Sequence, residues 1–342
     1  MGIRVLVVDD SAFMRKIITE MISEVKGLTV VGIARNGHDA LKSIPLLKPD
    51  IVTLDIEMPG LNGLETLERI KKEFDIPVVM MSSHSGEAIT IEALELGAMD
   101  FIEKPVDLKN QAAEFKKEIE KKIKPLMKAK EEQIPKKQLE KGTTTKEWQK
   151  NVPEKIEALV IGASTGGPKA LLHIIRHLPT TLAIPVFIVQ HMPKGFTLSF
   201  AERLNLKSEV TVVEAKDGMV IEKGMVYLAP GDYHMTIKEN EIILNQMPKI
   251  LGVRPAVDYL FQSAAMRYKS TLVGVILTGM GHDGSEGMKH IKEQGGFTLA
   301  QDRETSVVYG MPGSAIKKGV VDEVASLTEL SDRINWMIRM RQ

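Results

Sequence analysis

The sequence predicts an α/β protein made of two doubly wound domains, and three observations carry that prediction. Short, fully apolar runs such as Val5-Leu6-Val7-Val8 suit strands buried on both faces of a parallel sheet. These runs alternate with segments of helical apolar period, once from Ile3 to Val106 and again from Ile156 onward. Between the two patterns the composition turns to Lys, Glu and Gln, as in a solvated connection. The chain has 342 residues, more than one hydrophobic core usually serves, which agrees with two domains. The expected division is a first domain over 1–106, a helix and charged linker over 107–153, and a second domain over 154–342.

In the first domain, Ile3–Val8, Val30–Ile33, Ile51–Leu54, Val78–Met81 and Asp100–Ile102 read as five short strands, each followed by a helix or loop. This is the pattern of repeated βαβ units and a five-stranded parallel sheet. After Val106, the residues Leu108, Ala112, Phe115, Ile119 and Ile123 recur at helical spacing, predicting a helix that reaches about Lys130. The stretch that ends in Lys141-Gly142-Thr143-Thr144-Thr145-Lys146 reads as linker. In the second domain the expected strands are Ala158–Ile161, Pro185–Gln190, Thr211–Glu214, Met225–Leu228 and Thr271–Leu277. A β-hairpin is expected from Met235–Lys238 through Glu239-Asn240 into Glu241–Leu244.

Composition removes several function classes. With no cysteine, disulfides, thiolate metal sites and thiol catalysis are excluded. A formal net charge of zero argues against a general nucleic-acid binder, which needs clustered positive charge. No apolar run approaches the roughly 18 residues that span a bilayer. Met1-Gly2-Ile3-Arg4 leads straight into a strand-like run without the parts of a signal peptide, so a cytoplasmic location is expected.

Asp9 and Asp10 fall at the carboxyl end of the first expected strand and Asp55 at the end of the third. In a doubly wound sheet, ligands collect beyond those ends. Three carboxylates meeting there repel one another and raise each other's pKa. A hard divalent cation with oxygen ligands, such as Mg²⁺, relieves that repulsion. Ser82 after the fourth strand and Lys104 after the fifth reach the same edge, and such donors suit a phosphoryl group on an aspartate. Taken singly, Asp9 and Asp10 could be helix caps and Asp55 a loop carboxylate. All five residues in register are improbable by chance.

The stretches Val7–Ser11 and Thr53–Gly60, with Ser82 and Lys104-Pro105, resemble the response-regulator receiver domains, which have a flavodoxin-like fold. The resemblance implies that Asp55 accepts phosphate from a chemotaxis histidine kinase. It implies that Asp10 and Asp55 bind Mg²⁺, with Asp9 and Glu57 beside them, and that Ser82 and Lys104 sense the phosphate. Phe101 lies where an aromatic rotamer switch is often found, although an aromatic at a strand end reads equally well as core.

The second domain opens with Gly162-Ala163-Ser164-Thr165-Gly166-Gly167-Pro168 after a strand. Glycines permit a tight strand-to-helix turn, and Pro168 fits a first helical position. Gly162-x-Ser164-x-Gly166 matches a nucleophile elbow. A dinucleotide loop is the competing reading, but the second glycine of Gly-x-Gly is missing and no acidic ribose partner stands at suitable spacing. His191 follows the second strand, and Asp283 follows the strand that ends near Leu277. Three strand ends thus carry a serine, a histidine and an aspartate, the set needed for nucleophilic attack, proton transfer and imidazole orientation. Their order differs from the Ser, Asp, His order of α/β-hydrolases.

These residues, with Gln190-His191-Met192-Pro193, Leu228–His234, Arg254–Asp258 and Gly279–Gly284, resemble the protein-glutamate methylesterases of chemotaxis. The resemblance implies hydrolysis of γ-glutamyl methyl esters on the cytoplasmic domains of methylated chemoreceptors, with deamidation of specific glutamines there. It makes Ser164 the nucleophile, His191 the base and Asp283 the orienting acid. Thr165 and the backbone N–H of Met280 fall at the oxyanion side, and no cofactor is implied for the esterase. His282 reads as a loop residue. Arg254 and Asp258 read as a salt bridge at a helix start. His173 and His177 read as one helix face, and His38, His84, His234 and His290 show no metal-ligand spacing.

Overall fold

The computed structural model describes residues 2–83, 86–124 and 152–342. The chain divides into two compact units, Met1–Pro135 and Lys136–Gln342.

The first unit runs β1 (Ile3–Val8), α1 (Ala12–Ser23), β2 (Leu28–Ala34), α2 (Gly37–Leu47), β3 (Ile51–Asp55), α3 (Gly63–Glu73), β4 (Val78–Ser82), α4 (Glu87–Glu95), β5 (Asp100–Glu103) and α5 (Leu108–Ile123). All five strands pair in parallel in the order β2-β1-β3-β4-β5. The chain steps outward from β1 in one direction to β2 and in the other to β3. The carboxyl ends of β1 and β3 therefore flank the point where the winding reverses, and a crevice for ligands opens there. Helix starts follow the local chemistry: Ser11 caps α1 by accepting from the Met14 N–H, and Asn62 forms a capping box with Glu65 on α3.

Helix α5 does not lead away from this unit. Phe115, Ile119 and Ile123 are buried in one cluster with Ile3, Val5, Val7, Ile18 and Ile22. Burying side chains of this kind stabilises by roughly 1.5–3 kcal/mol each, so α5 is an integral layer of the fold. The part of the expected linker from 125 to 151 lies outside the described residues, as does His84.

The second unit runs β6 (Ala158–Ala163), α6 (Gly167–Arg176), β7 (Val186–Gln190), α7 (Phe196–Lys207), β8 (Thr211–Glu214), β9 (Met219–Val220), β10 (Met225–Leu228), β11 (His234–Lys238), β12 (Glu241–Asn245), α8 (Val257–Tyr268), β13 (Leu272–Ile276), α9 (Ser285–Glu293), β14 (Phe297–Gln301), α10 (Gly310–Lys317), β15 (Glu323–Ala325) and α11 (Leu327–Arg341). Its main sheet has seven parallel strands in the order β15-β14-β13-β6-β7-β10-β8. The expected hairpin is β11 and β12, which β9 extends to a separate three-stranded antiparallel sheet.

Strands β14 and β15 were not foreseen. β14 reads Phe-Thr-Leu-Ala-Gln and is buried throughout. Its Thr298 breaks the apolar run, yet the hydroxyl is satisfied by Val320 O at 2.9 Å and an Asp322 oxygen at 2.7 Å, so burial costs little. Strand β6 lies between β13 and β7, with Gly162 beside Ile276 and Ala163 beside Gln190. The loops after these three strands therefore open at one edge.

Candidate active site and phosphoacceptor site

Ser164 stands on the turn from β6 to α6. Its N–H donates to Thr278 O at 3.0 Å, and its carbonyl accepts from Gly167 N at 2.7 Å. The Gln190 side-chain amide donates to the same carbonyl at 3.0 Å. Gly166 holds the turn in the left-handed region, at φ +77°, and a Cβ there would lie 2.6 Å from Val307, so both conformation and space demand glycine. The Ser164 side chain sits just before the α6 N-terminus, where free N–H groups favour negative charge.

His191 continues the register of β7, its N–H donating to Ala163 O at 3.1 Å. Its Nε2 lies 2.7 Å from Asp283 Oδ2. That oxygen also accepts from Val257 N at 2.7 Å, while Oδ1 accepts from Asp258 N at 3.0 Å and Gly284 N at 2.9 Å. Burial works against the Asp283 charge. The hydrogen bond and charge of His191, with the N–H groups of Val257 and Asp258, outweigh it and hold the carboxyl below the ordinary aspartate range. The structure thus brings His191 and Asp283 together beside the turn that carries Ser164.

Thr165 is buried and its carbonyl accepts from the Thr278 hydroxyl at 2.9 Å. Met280 is half-buried in the loop after β13, and His282 is exposed in the same loop. Arg254 does not pair with Asp258. Its guanidinium reaches Asp232 Oδ1 at 2.6 Å, because Asp258 lies in the first turn of α8 and accepts from Gly287 N at 2.7 Å. Sequence reasoning also assigned no role to Gln190 or His234. His234 is fully buried, its Nδ1 accepting from Ala256 N at 3.1 Å and its Nε2 lying 3.2 Å from Pro248 O. Desolvation lowers its basicity. No periodicity marks such a residue, since its partners are backbone groups from a distant loop.

In the first unit, Asp9 is fully buried at the end of β1 and Asp55 nearly so at the end of β3. The Lys104 ammonium lies 2.8 Å from Asp9 Oδ2 and 2.7 Å from Asp55 Oδ2. One oxygen from each of Asp9, Asp10 and Asp55 falls within 4.8 Å of the others. Burial pushes the Asp55 carboxyl up to about 6, against the pull of Lys104. Burial alone would lower Lys104, but the charges and hydrogen bonds of Asp55 and Asp9 together hold it above its ordinary value. Glu57 lies beside Asp55, its N–H 3.3 Å from Oδ1, while its side chain is exposed and outside the three-aspartate group. The chain turns outward there to form the loop before Pro59. Ser82 is fully buried, and its hydroxyl lies 2.6 Å from that of Thr90 on α4. Phe101 is buried, with the Lys122 ammonium 4.6 Å from the ring centroid. Among the described residues the three aspartates form the one candidate metal cluster, and no helix is long and apolar enough to cross a membrane.

Fold and sequence together define the class of protein, a response-regulator receiver joined to a carboxylic-ester hydrolase. Residues 5–116 match the response regulator receiver domain, and residues 159–334 match the CheB methylesterase domain. The protein-glutamate methylesterase/protein-glutamine glutaminase of Clostridium acetobutylicum is 45% identical, over 98% of each chain. The protein of the same name from Thermotoga maritima is 44% identical, over 97% of each chain. The crystal structure of the Thermotoga maritima CheB methylesterase catalytic domain covers 54% of this chain and 99% of its own, at 44% identity and a TM-score of 0.52. The chain belongs to the CheB methylesterase family.

Proposed function

We propose that this protein demethylates glutamate γ-methyl esters on chemoreceptors and deamidates specific receptor glutamines, under control of phosphorylation at Asp55. The observation that carries the reading is the His191–Asp283 pair, 2.7 Å apart at strand ends adjoining the Ser164 turn.

In this reading Ser164 Oγ attacks the ester carbonyl while His191 takes its proton. Nε2 faces Asp283, which leaves Nδ1 as the basic nitrogen. The tetrahedral oxyanion is met by the α6 N-terminus and the Met280 N–H, with Thr165 fixing the turn. One such donor is commonly worth about 10²–10³ in rate. His191 returns the proton to the leaving oxygen, and methanol departs from a glutamyl ester on Ser164. Water, deprotonated by His191, then releases glutamate and restores the serine. On a glutamine substrate the leaving group is ammonia. These proton transfers are complete within the three side chains, so the hydrolase half is read as needing no cofactor.

In the receiver, the oxygen donors of Asp9, Asp10 and Asp55 fit Mg²⁺. These residues would hold the ion, which would supply charge neutralisation for phosphoryl transfer from a histidine kinase to Asp55. Lys104 already touches Asp55 and would pair with the phosphoryl oxygens, and the Ser82 hydroxyl would leave Thr90 for them. Phe101 would respond as its neighbourhood repacks. We place the end of the receiver after α5 rather than at Val106, and the start of the methylesterase domain near residue 154. With receptor cytoplasmic domains as substrate and a histidine kinase as phosphodonor, the protein is read as working in the cytoplasm.

The test is methanol release from methylated receptor fragments, with and without a phosphodonor. Ser164→Ala is expected to lose on the order of 10⁶ in rate while folding normally. Near-parental turnover by the folded variant would refute the assignment.

A further inference from the structure

Two helices with no caps of their own cap each other next to Asp283. The residue before α8, Ala256, makes no side-chain cap, and the residue before α9, Gly284, has no side chain to offer. The first N–H groups of α8, on Val257 and Asp258, are taken by Asp283, at 2.7 and 3.0 Å. The Gly287 N–H in the first turn of α9 is taken by Asp258 Oδ1, at 2.7 Å. Each acid thus satisfies the orphan donors of the other acid's helix. The two helices touch here: a Cβ on Gly287 would lie 2.4 Å from Phe261 Cβ.

We propose that Asp258 is a positioning residue of the hydrolase, which locks α9, and with it Asp283, against α8 through this reciprocal pair of caps. The proposal rests on the reading of Asp283 as the acid that orients His191. Asp283 Oδ2 serves both His191 Nε2 and Val257 N, so the imidazole is aimed from the same atom that ties the two helices together. A shift of α9 along α8 therefore turns His191. Burial, with the Asp283 charge beside it, pushes Asp258 up to about 6.

The experiment uses the whole chain and two variants. Asp258→Ala removes the acceptor for Gly287. Asp258→Asn keeps an acceptor oxygen for Gly287. The expected result for Asp258→Ala is a kcat for methanol release lowered roughly 10- to 100-fold with KM little changed, the size of effect that follows a small misplacement of a catalytic group. The low-field proton resonance of the His191–Asp283 hydrogen bond, read in ¹⁵N-histidine-labelled protein, is expected to broaden or vanish. Asp258→Asn is expected to stay within a few-fold of the parent in kcat and to keep the resonance. An alanine variant with parental kcat and resonance overturns the proposal, and so does an asparagine variant as impaired as the alanine one. If the alanine variant does not fold, the asparagine variant alone decides. A parent chain that releases no methanol overturns the proposed function, while the resonance still decides the role of Asp258.

Discussion

His191 presents Nε2 to Asp283, with the two atoms 2.7 Å apart, and Asp283 is itself held by three backbone N–H groups from two helix starts. The imidazole is therefore oriented by an acid that cannot swing. Asp283→Asn is expected to cut turnover by up to roughly 10⁴, the scale seen when an orienting acid is neutralised. His282→Asn, altering an exposed neighbour, is expected to be mild. Steady-state kinetics on both variants decides, and the reverse order of effects would move the acid's role away from Asp283.

At the receiver edge, Lys104 bridges Asp9 and Asp55 at 2.8 and 2.7 Å. Asp55→Asn removes the one carboxylate here proposed to carry phosphate. Incubation with a small phosphodonor and Mg²⁺ is expected to give no acid-stable, base-labile phosphate on that variant. Labelling at the parental level would show that another residue accepts the group.

Asp258 gives a pH signature in stability. Its carboxyl titrates at about 6 in the fold, against an ordinary 3.8. The native state therefore holds this proton more tightly than the unfolded chain. The associated stability is fully present below the ordinary value, falls as pH rises through the window between the two, and is lost above about 6. Burial and the Asp283 carboxylate beside it raise the Asp258 carboxyl, against the pull of the Gly287 and Gly284 N–H groups. Asp258→Asn has no charge to bury, so its hydrolase domain is expected to melt higher than the parent's at pH 7.5, by on the order of a few degrees, with the gap closing toward pH 4. Calorimetry at the two pH values checks this. A gap that widens on acidification would reverse the sign.

A phosphoacceptor joined to a hydrolase implies a coupling free energy between the two, commonly about 1–3 kcal/mol or about 5–150-fold in activity. If the unphosphorylated receiver inhibits, a fragment starting near Asn151 is expected to outpace the unphosphorylated whole chain. Comparing the fragment, the chain and the chain with phosphodonor settles the sign. A fragment no faster than the unphosphorylated chain excludes simple inhibition. A phosphorylated chain much faster than the fragment adds positive activation.

Much of this protein was legible in its residues. The apolar runs placed β1 and β3, and with them Asp9 and Asp55, because a strand buried on both faces has a composition that declares itself locally. The turn around Ser164 was legible for a similar reason, since only small residues and a proline suit a tight start of helix. What stayed hidden were relations between distant elements. Thr298 and the brevity of β15 masked two strands whose burial comes from their neighbours. The helical spacing of Phe115, Ile119 and Ile123 was legible, but that they pack into the receiver core was not. Arg254 and Asp258 are four residues apart and of opposite charge, yet they take separate partners, Asp232 and the α9 start. The sequence by itself determined the two α/β patterns and which residues end the strands, because period and turn chemistry act over a few residues. Tertiary structure alone decided that β6 lies between β7 and β13, and that Asp283 sits on the start of α8. Those choices depend on which buried faces and helix starts satisfy one another best across the whole domain, and no short stretch of chain encodes that.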